Sequence, residues 1–303
     1  MRQTPLPIDW LLLALLVVVW GSSFALSKHA LEFLDAGWIM ALRLGVAAAV
    51  LVPFAYVSGQ TMKGSSASWM KFTWLGFIGN AFPFFLITWG MHFVTSGVAG
   101  LLMGAIPLFV VVLAHFTLPG ERLTLPKAVG FVLGFCGIVV LIGPEAIFTF
   151  SMSGDELIGE LAVILGCLCY AIHGISAKRL GVEHPAKQSA AVCLTGAAMG
   201  LAYAALANPG GLQGVPVSAY GAVAGLGLLP TAFATLLVYR LMARTGPSFV
   251  SLSNYLVPVF ALGLGALVLG ETLDWNVLAS LLLILTGIAI SGMAPAREKE
   301  AQT

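Results

Sequence analysis

Charged side chains are scarce in this sequence. Asp, Glu, Lys and Arg make up 9% of the 303 residues, whereas a soluble domain carries about 25%. Hydrophobic residues make up 59%, and the mean hydropathy is +0.99. This charge is too low to cover the surface of a soluble globule or to keep a chain disordered. The composition therefore predicts a chain that lies mostly in lipid, and the net charge of +1 suggests no nucleic-acid partner.

Cysteine is also sparse, and it lacks any metal-ligand spacing. The four cysteines lie in apolar runs, and none forms a CxxC or Cys/His motif: Cys136, Cys167, Cys169 and Cys193. We interpret them as small buried hydrophobic residues. No HExxH sequence is present, and no acidic residue lies deep in an apolar run where it could orient a histidine. The sequence predicts no metal, no cofactor and no enzyme activity.

Ten apolar runs are long enough to cross the hydrocarbon of a membrane, which takes about 20 residues in a helix. Run 1 is longer than the apolar part of a signal peptide, and further runs follow it, so we expect it to be retained. The predicted fold class is an all-α membrane protein with ten transmembrane helices. Numbered along the chain, runs 1 to 10 cover approximately residues 8–28, 36–58, 69–92, 96–117, 126–143, 157–178, 188–207, 218–241, 247–269 and 275–293.

The basic residues predict the orientation of these helices. If the N-terminus is cytoplasmic, twelve Lys and Arg residues lie inside and two, Lys28 and Arg43, lie outside. Cytoplasmic loops carry the excess of Lys and Arg in membrane proteins, so both termini are predicted to be cytoplasmic. The twelve inside residues are Arg2, Lys63, Lys71, Arg122, Lys127, Lys178, Arg179, Lys187, Arg240, Arg244, Arg297 and Lys299.

The two halves of the sequence resemble each other with an offset of about 150 residues. Each half contains five runs, and because five is odd, the second half is predicted to cross the membrane in the opposite sense. We therefore expect two five-helix units, residues 1–150 and 151–303, in the inverted repeat that is common in secondary transporters. A duplication that merely builds a helical bundle is the alternative. The aligned pairs include Trp20 with Tyr170, Pro107 with Pro258, Glu121 with Glu271 and Gly137 with Gly287.

Several short motifs resemble those of the drug/metabolite transporter superfamily. They are WGSSFALSK at 20–28, GERLT at 120–124, GETLD at 270–274, and a proline shortly before each of the two Gly-Glu corners. The sequence is similar to the EamA-type ten-helix exporters of that superfamily, which include aromatic amino acid exporters. The resemblance covers two units at about 8–143 and 157–292.

This resemblance implies a 5+5 inverted repeat with a central cavity. It also implies transport of a small metabolite or drug, with export as the expected direction, across a bacterial inner membrane. The second unit departs from the pattern, since run 6 reads CYAIHGISAKR where run 1 reads VWGSSFALSKH. That departure leaves open whether the two halves contact a substrate equally.

Polar and aromatic residues deep in the runs are the candidate substrate site, because polar groups in hydrocarbon need partners. We expect a cavity between runs 1, 3, 4, 6, 8 and 9. Each residue also has a structural alternative: a serine can bond its own helix, an asparagine can tie two helices, and an aromatic, methionine or histidine can belong to the core. The seven predicted substrate-binding residues are Trp20, Ser23, Asn80, Met103, Tyr170, His173 and Asn254.

Three further features carry predictions about these helices. Pro83, Pro107 and Pro258 are expected to kink them, since proline removes a backbone donor and frees a carbonyl. Arg43, in the outer part of run 2, is expected to snorkel outward or to pair with Glu32 or Asp35; facing an anionic ligand is the alternative. Small residues four apart predict close helix packing at Gly130 and Gly134, Gly196 and Gly200, and Gly221 and Gly225.

The function predicted from the sequence is secondary transport of a small organic solute, such as an amino acid or a drug, by alternating access. The partners are that solute and the lipid bilayer. A channel or a lipid scramblase-like protein is the alternative, although the runs lack the charged rings of an ion filter. An intramembrane enzyme is disfavoured because no catalytic motif is present. The sequence does not decide the solute, the coupling ion, or whether the protein is a monomer or an oligomer.

Overall fold

The structure is a computed structural model that describes residues 5–118, 123–142, 155–181 and 183–292. Gly120, Glu121 and both chain termini lie outside these ranges. Within them, every regular element is helical. The main helices are α1 (Pro7–Leu31), α2 (Ala36–Val57), α3 (Ser66–Gly90), α4 (Ser96–Thr117), α5 (Leu125–Ile142), α6 (Asp155–Leu180), α7 (Pro185–Ala207), α8 (Val217–Thr245), α9 (Ser253–Leu269) and α10 (Trp275–Gly292).

Nine helices of the described part are long and apolar enough to cross a membrane, and α9, with 17 residues, is a shorter apolar helix. The run predicted at 247–269 divides into a four-residue helix, Pro247–Val250, and α9. The hydroxyl of Ser253 donates to the carbonyl of Val250 at 2.8 Å and bridges the break. Hydropathy averaged over the run predicts the run but not the break.

Polar side chains next to the helix ends determine where several helices begin and end. The carboxylate of Asp35 accepts the Trp38 N–H at 2.9 Å and caps α2, and the hydroxyl of Thr95 accepts the Val98 N–H and caps α4. These caps satisfy donors that would otherwise lack a partner in the first turn. At the other end of α9, Gly270 takes a left-handed conformation with φ of 68°, which ends the helix.

Three of the membrane helices contain a segment that is not α-helical. π turns occur in α3 at Phe77–Ala81 and in α8 at Gly227–Phe233, and a 3₁₀ turn occurs in α4 at Met103–Ala105. A proline lies in or just after each segment: Pro83, Pro230 and Pro107. Proline has no N–H to donate, so the hydrogen-bond ladder shifts around it. At Pro258, α9 continues without a change of helix type, and the kink predicted there stays a prediction.

Small residues allow the closest helix contacts. Where α5 crosses α10, a Cβ on Gly287 would lie 2.5 Å from the Gly130 carbonyl oxygen, and where α7 packs on α2, a Cβ on Gly200 would lie 3.0 Å from Ala41. The packing prediction is wrong for Gly221, which has no neighbouring atom within 4 Å on that side, and for Gly225, whose nearest neighbour is 4.0 Å away. Of the four cysteines, Cys136 is exposed rather than buried, because it lies on the outer face of α5.

Candidate functional site

A cavity of about 440 Å³ lies in the middle of the helix bundle, and it is lined by residues of α1 to α4 and α6 to α9. Among the described residues, α5 and α10 contribute nothing to its wall. The sequence predicted a cavity between six of these helices, and the structure adds α2 and α7. The volume falls within the range of sites that enclose small organic molecules, about 300 to 1,000 Å³.

All seven residues predicted to bind substrate lie on the wall of this cavity: Trp20, Ser23, Asn80, Met103, Tyr170, His173 and Asn254. Pro258 also lies on the wall, whereas Pro83 and Pro107 do not. The structure therefore brings together residues from both halves of the chain. Their role in binding a solute stays a prediction.

On α1, two polar groups of the wall are already hydrogen-bonded. The indole N–H of Trp20 donates to the carbonyl of Pro230 at 3.2 Å, within the π turn of α8. The hydroxyl of Ser23 donates to the Trp20 carbonyl at 2.6 Å, which is the structural alternative for this serine. Its oxygen can still accept a hydrogen bond. Trp20 thus connects the two halves, and its indole ring faces the cavity as an apolar surface.

The two asparagines lie on different helices and differ in their partners. The Asn80 amide donates only a long contact, 3.5 Å, to the thiol of Cys193 on α7. The Asn254 side chain, in the first turn of α9, has no hydrogen bond to another described side chain or carbonyl. Amide groups that have few protein partners and line a cavity can bond a solute.

Tyr170 and His173 lie one turn apart on α6. The ring of Tyr170 packs edge-on against Phe84, with centroids 6.3 Å apart. The imidazole of His173 lies directly against Gly79 in the π turn of α3, where a Cβ would overlap it. The His173 Nδ1 atom is buried and has no hydrogen-bond partner among the described residues. The glycine therefore makes the room that the histidine occupies.

Arg43 is a wall residue that the sequence did not assign to the site. It is 9% exposed, its Nε donates to the Thr231 hydroxyl at 2.9 Å, and its guanidinium lies 3.9 Å above the centre of the Phe84 ring. The predicted snorkelling or pairing with an acid is wrong. Asp35 instead bonds Asn208, and Glu32 is near His29.

The wall also includes a polar group on α7 and α8 that sequence reasoning missed. The hydroxyls of Ser189 and Tyr239 are 2.6 Å apart, and Gln188 lies beside them on the wall. The predicted start of run 7 at residue 188 put Gln188 and Ser189 at the edge of the membrane. The helix in fact begins at Pro185, one turn earlier, which makes these residues part of the span.

Two charged side chains tie helix ends together at one end of the bundle. The Glu271 carboxylate accepts the N–H groups of Ser96 and Gly97 at 2.7 and 2.9 Å, at the start of α4. The Lys28 ammonium donates to the carbonyls of Met91 and Val94, after the end of α3. Together they attach the α3–α4 connection to α1 and to the α9–α10 corner, and we call this set of contacts the Lys28–Glu271 clamp.

Comparison with known proteins agrees with this architecture. A profile of the EamA-like transporter family matches residues 8–143 and again residues 157–293. The chain is 26% identical to "Uncharacterized transporter YoaV" of Bacillus subtilis, over 93% of this chain and 96% of that protein. It is 28% identical to a Streptantibioticus cattleyicolor protein named "Probable terminal-alkyne amino-acid exporter", over 96% of each.

A solved crystal structure also has the same fold. It superimposes with a TM-score of 0.66 at 21% identity, and the match covers 96% of this chain and 98% of the other. The repeated family match and the transporters among the relatives describe a multi-pass membrane transporter rather than an enzyme. The chain belongs to the EamA-like transporter family.

Proposed function

We propose that this protein is a secondary carrier that moves a small organic solute across the bacterial inner membrane by alternating access. The observation that carries the proposal is the central cavity, whose wall draws residues from both halves of the chain. Its seven predicted residues would form the substrate site. Export is the proposed direction, and it is supported by the relative whose name describes an amino-acid exporter.

In this proposal the chain crosses the membrane ten times, with the segment 247–269 as the ninth crossing and both termini in the cytoplasm. The excess of Lys and Arg on the inner side, twelve against two, supports the orientation. Residues 1–150 and 151–303 form two five-helix units of opposite sense. An opposed pair of similar units can exchange conformations and so open a central site to one side and then to the other.

Pairs of contacts that exchange partners support the inverted repeat. The alignment pairs Arg43 with Cys193 at an offset of 150, and Asn80 with Thr231 at an offset of 151. Arg43 donates to Thr231, and Asn80 donates to Cys193. If each residue of the first contact is replaced by its aligned counterpart in the other half, the result is the second contact. A two-fold axis between the units would produce such an exchange, so these contacts support the proposed repeat.

The crossing of α5 and α10 follows the same rule. Gly137 aligns with Gly287, and Gly130 with Ser280. A Cβ on Gly137 would approach the Ser280 carbonyl at 3.1 Å, and a Cβ on Gly287 would approach the Gly130 carbonyl at 2.5 Å. The π turns of α3 and α8 also correspond at an offset of 151. Such symmetry supports two equivalent units whose relative movement would open the cavity.

The Lys28–Glu271 clamp supports a carrier over a channel. In this proposal it seals the end of the bundle that the orientation puts outside, and polar residues of α7 and α8 continue the cavity wall toward the inside. A site sealed on one side is one of the two states that alternating access requires.

Flux through proteoliposomes tests this function. Purified protein is reconstituted, and uptake of labelled phenylalanine and other small metabolites is measured with and without an internal load of the same solute. Saturable uptake that the internal load stimulates is expected of a carrier. Unsaturated conductance would favour a channel, lipid exchange between leaflets a scramblase-like protein, and the absence of flux for every solute would contradict the proposal.

A further inference from the structure

The charge on the cavity wall is of one sign. Arg43 is the one Lys or Arg among the described residues of the wall, and no Asp or Glu lies on it. The remaining polar groups are hydroxyls, amides, a thiol and an imidazole, which are uncharged or, for the imidazole of His173, able to gain only positive charge. A solute that enters this cavity therefore meets a permanent positive charge with no protein carboxylate beside it.

The guanidinium of Arg43 is held at its Nε and on one face, and its two Nη groups are unpaired. Its Nε is used by Thr231, and one face is covered by the ring of Phe84. Among the described residues, its Nη groups have no hydrogen-bond acceptor and no carboxylate at ion-pair distance. Arg43 lines the cavity, and neither of its Nη atoms is both fully buried and without a partner. The Nη groups are therefore within reach of a solute in the cavity.

A buried charge of this kind is costly unless it is paired and hydrogen-bonded. The planar fork formed by the two Nη groups matches a carboxylate, which accepts two parallel N–H bonds. Contact with Phe84 and the bond to Thr231 hold the fork in one orientation before a ligand arrives, which reduces the entropy lost on binding. The arrangement is therefore that of a preformed anion site with an apolar surround.

We propose that the solute is an organic carboxylate anion whose carboxylate pairs with the Nη groups of Arg43. Because the wall has no acidic side chain for an ammonium group, a carboxylate without an amino group is preferred to the zwitterionic amino acid of the same size. The rings of Trp20, Phe24 and Tyr170 on the same wall accommodate an apolar or aromatic body. This inference rests on the proposal that the cavity is the transport site.

Three probes that share the same aromatic body distinguish the effect of a carboxylate from that of an ammonium group. Binding of 3-phenylpropanoate, phenylalanine and phenethylamine to the full-length protein in nanodiscs is measured by titration calorimetry at neutral pH. They carry a carboxylate alone, both groups, and an ammonium alone. We expect 3-phenylpropanoate to bind about tenfold or more tightly than phenethylamine, since a hydrogen-bonded charge contact is worth at least that factor, with phenylalanine between them.

Variants then assign the preference to Arg43. Arg43→Gln should weaken 3-phenylpropanoate about tenfold or more and leave phenethylamine unchanged, and Arg43→Lys should restore only part of the preference because it keeps the charge but not the fork. Arg240→Gln makes the same chemical change at an exposed position of α8 and should leave the order intact. If Arg43→Gln does not fold, Thr231→Val, which removes the Nε partner, should narrow the preference.

Several results would overturn the anion site. The first is that the wild type does not bind 3-phenylpropanoate saturably. The second is that phenylalanine or phenethylamine binds as tightly as 3-phenylpropanoate or more tightly. The third is that the order of affinities is unchanged in Arg43→Gln. Proteoliposome uptake keeps this failure apart from that of the carrier function. Saturable uptake of phenylalanine or phenethylamine without an anion preference leaves a carrier and refutes the anion site, whereas anion-selective binding without uptake of any probe refutes the carrier.

Discussion

Breaking the Lys28–Glu271 clamp should open the cavity to the outside. In Glu271→Gln, one amide oxygen remains to accept the N–H of Ser96 or Gly97, so one charge-assisted hydrogen bond is lost. Such a bond contributes about 1.5 to 3 kcal/mol. Because the contact exists only while this end is closed, its loss should shift the ratio of open to closed forms by about tenfold or more toward open.

Thiol labelling measures this shift. The four native cysteines are replaced by alanine, and Ile106, a half-buried wall residue of α4, is changed to cysteine. A membrane-impermeant thiol reagent added from outside should react about tenfold faster or more in the Glu271→Gln protein, in proportion to the open population. Asp274→Asn is the matched control. It removes another carboxylate from the same corner, and the Asp274 side chain is exposed and is not bonded to α4. Equal rates in Glu271→Gln and the parent would refute the clamp.

Three further predictions concern the site, the packing and the orientation. Asn80→Ala and Asn254→Ala should each lower the transport rate without reducing the amount of folded protein, and unchanged kinetics for both would remove them from the site. Gly287→Ala should destabilise the fold by about 1 to 3 kcal/mol through overpacking against Gly130, and the protein should melt at a lower temperature in detergent. Gly45→Ala is the control, because a Cβ there meets no described atom within 4 Å, and it should not lower the melting temperature. Equal melting temperatures for the two variants would contradict the close crossing. Cysteines at positions 64 and 150 should label from the inside and the outside respectively, and the opposite pattern would overturn the orientation.

More of the cavity residues than of the helix irregularities could be predicted from the sequence. Trp20, Asn80 and His173 could be assigned because a polar or aromatic group deep in an apolar run is costly and so stands out. The repeat then paired positions across the halves and identified Tyr170. These signals need no knowledge of which face a helix turns to its neighbours.

The sequence left facing an anionic ligand as the alternative for Arg43 and favoured snorkelling or pairing with an acid, for a physical reason. Its partner Thr231 is 188 residues away, and α2 is apolar on all sides, so no periodicity marks the face that points to the cavity. An arginine near the start of a membrane helix ordinarily snorkels outward. Only the packing of α2 against α8 turns it inward.

The interrupted helices were predicted in part. Pro83 and Pro107 mark the irregular segments of α3 and α4, since proline displaces the hydrogen-bond ladder. Pro230 was not predicted, although it lies in the π turn of α8 and its carbonyl accepts the Trp20 indole N–H. The break before α9 leaves no proline at the turn itself, so composition alone does not reveal it.

The central claim is that one cavity at the seam of two opposed units is reached from both sides of the membrane in turn. The most direct measurement compares labelling of the Ile106→Cys protein from the inside and from the outside, with the clamp intact and with Glu271→Gln. In Glu271→Gln, we expect the outside labelling rate to rise and the inside labelling rate to fall. Labelling from one side alone in both proteins, or rates that rise together, would contradict it.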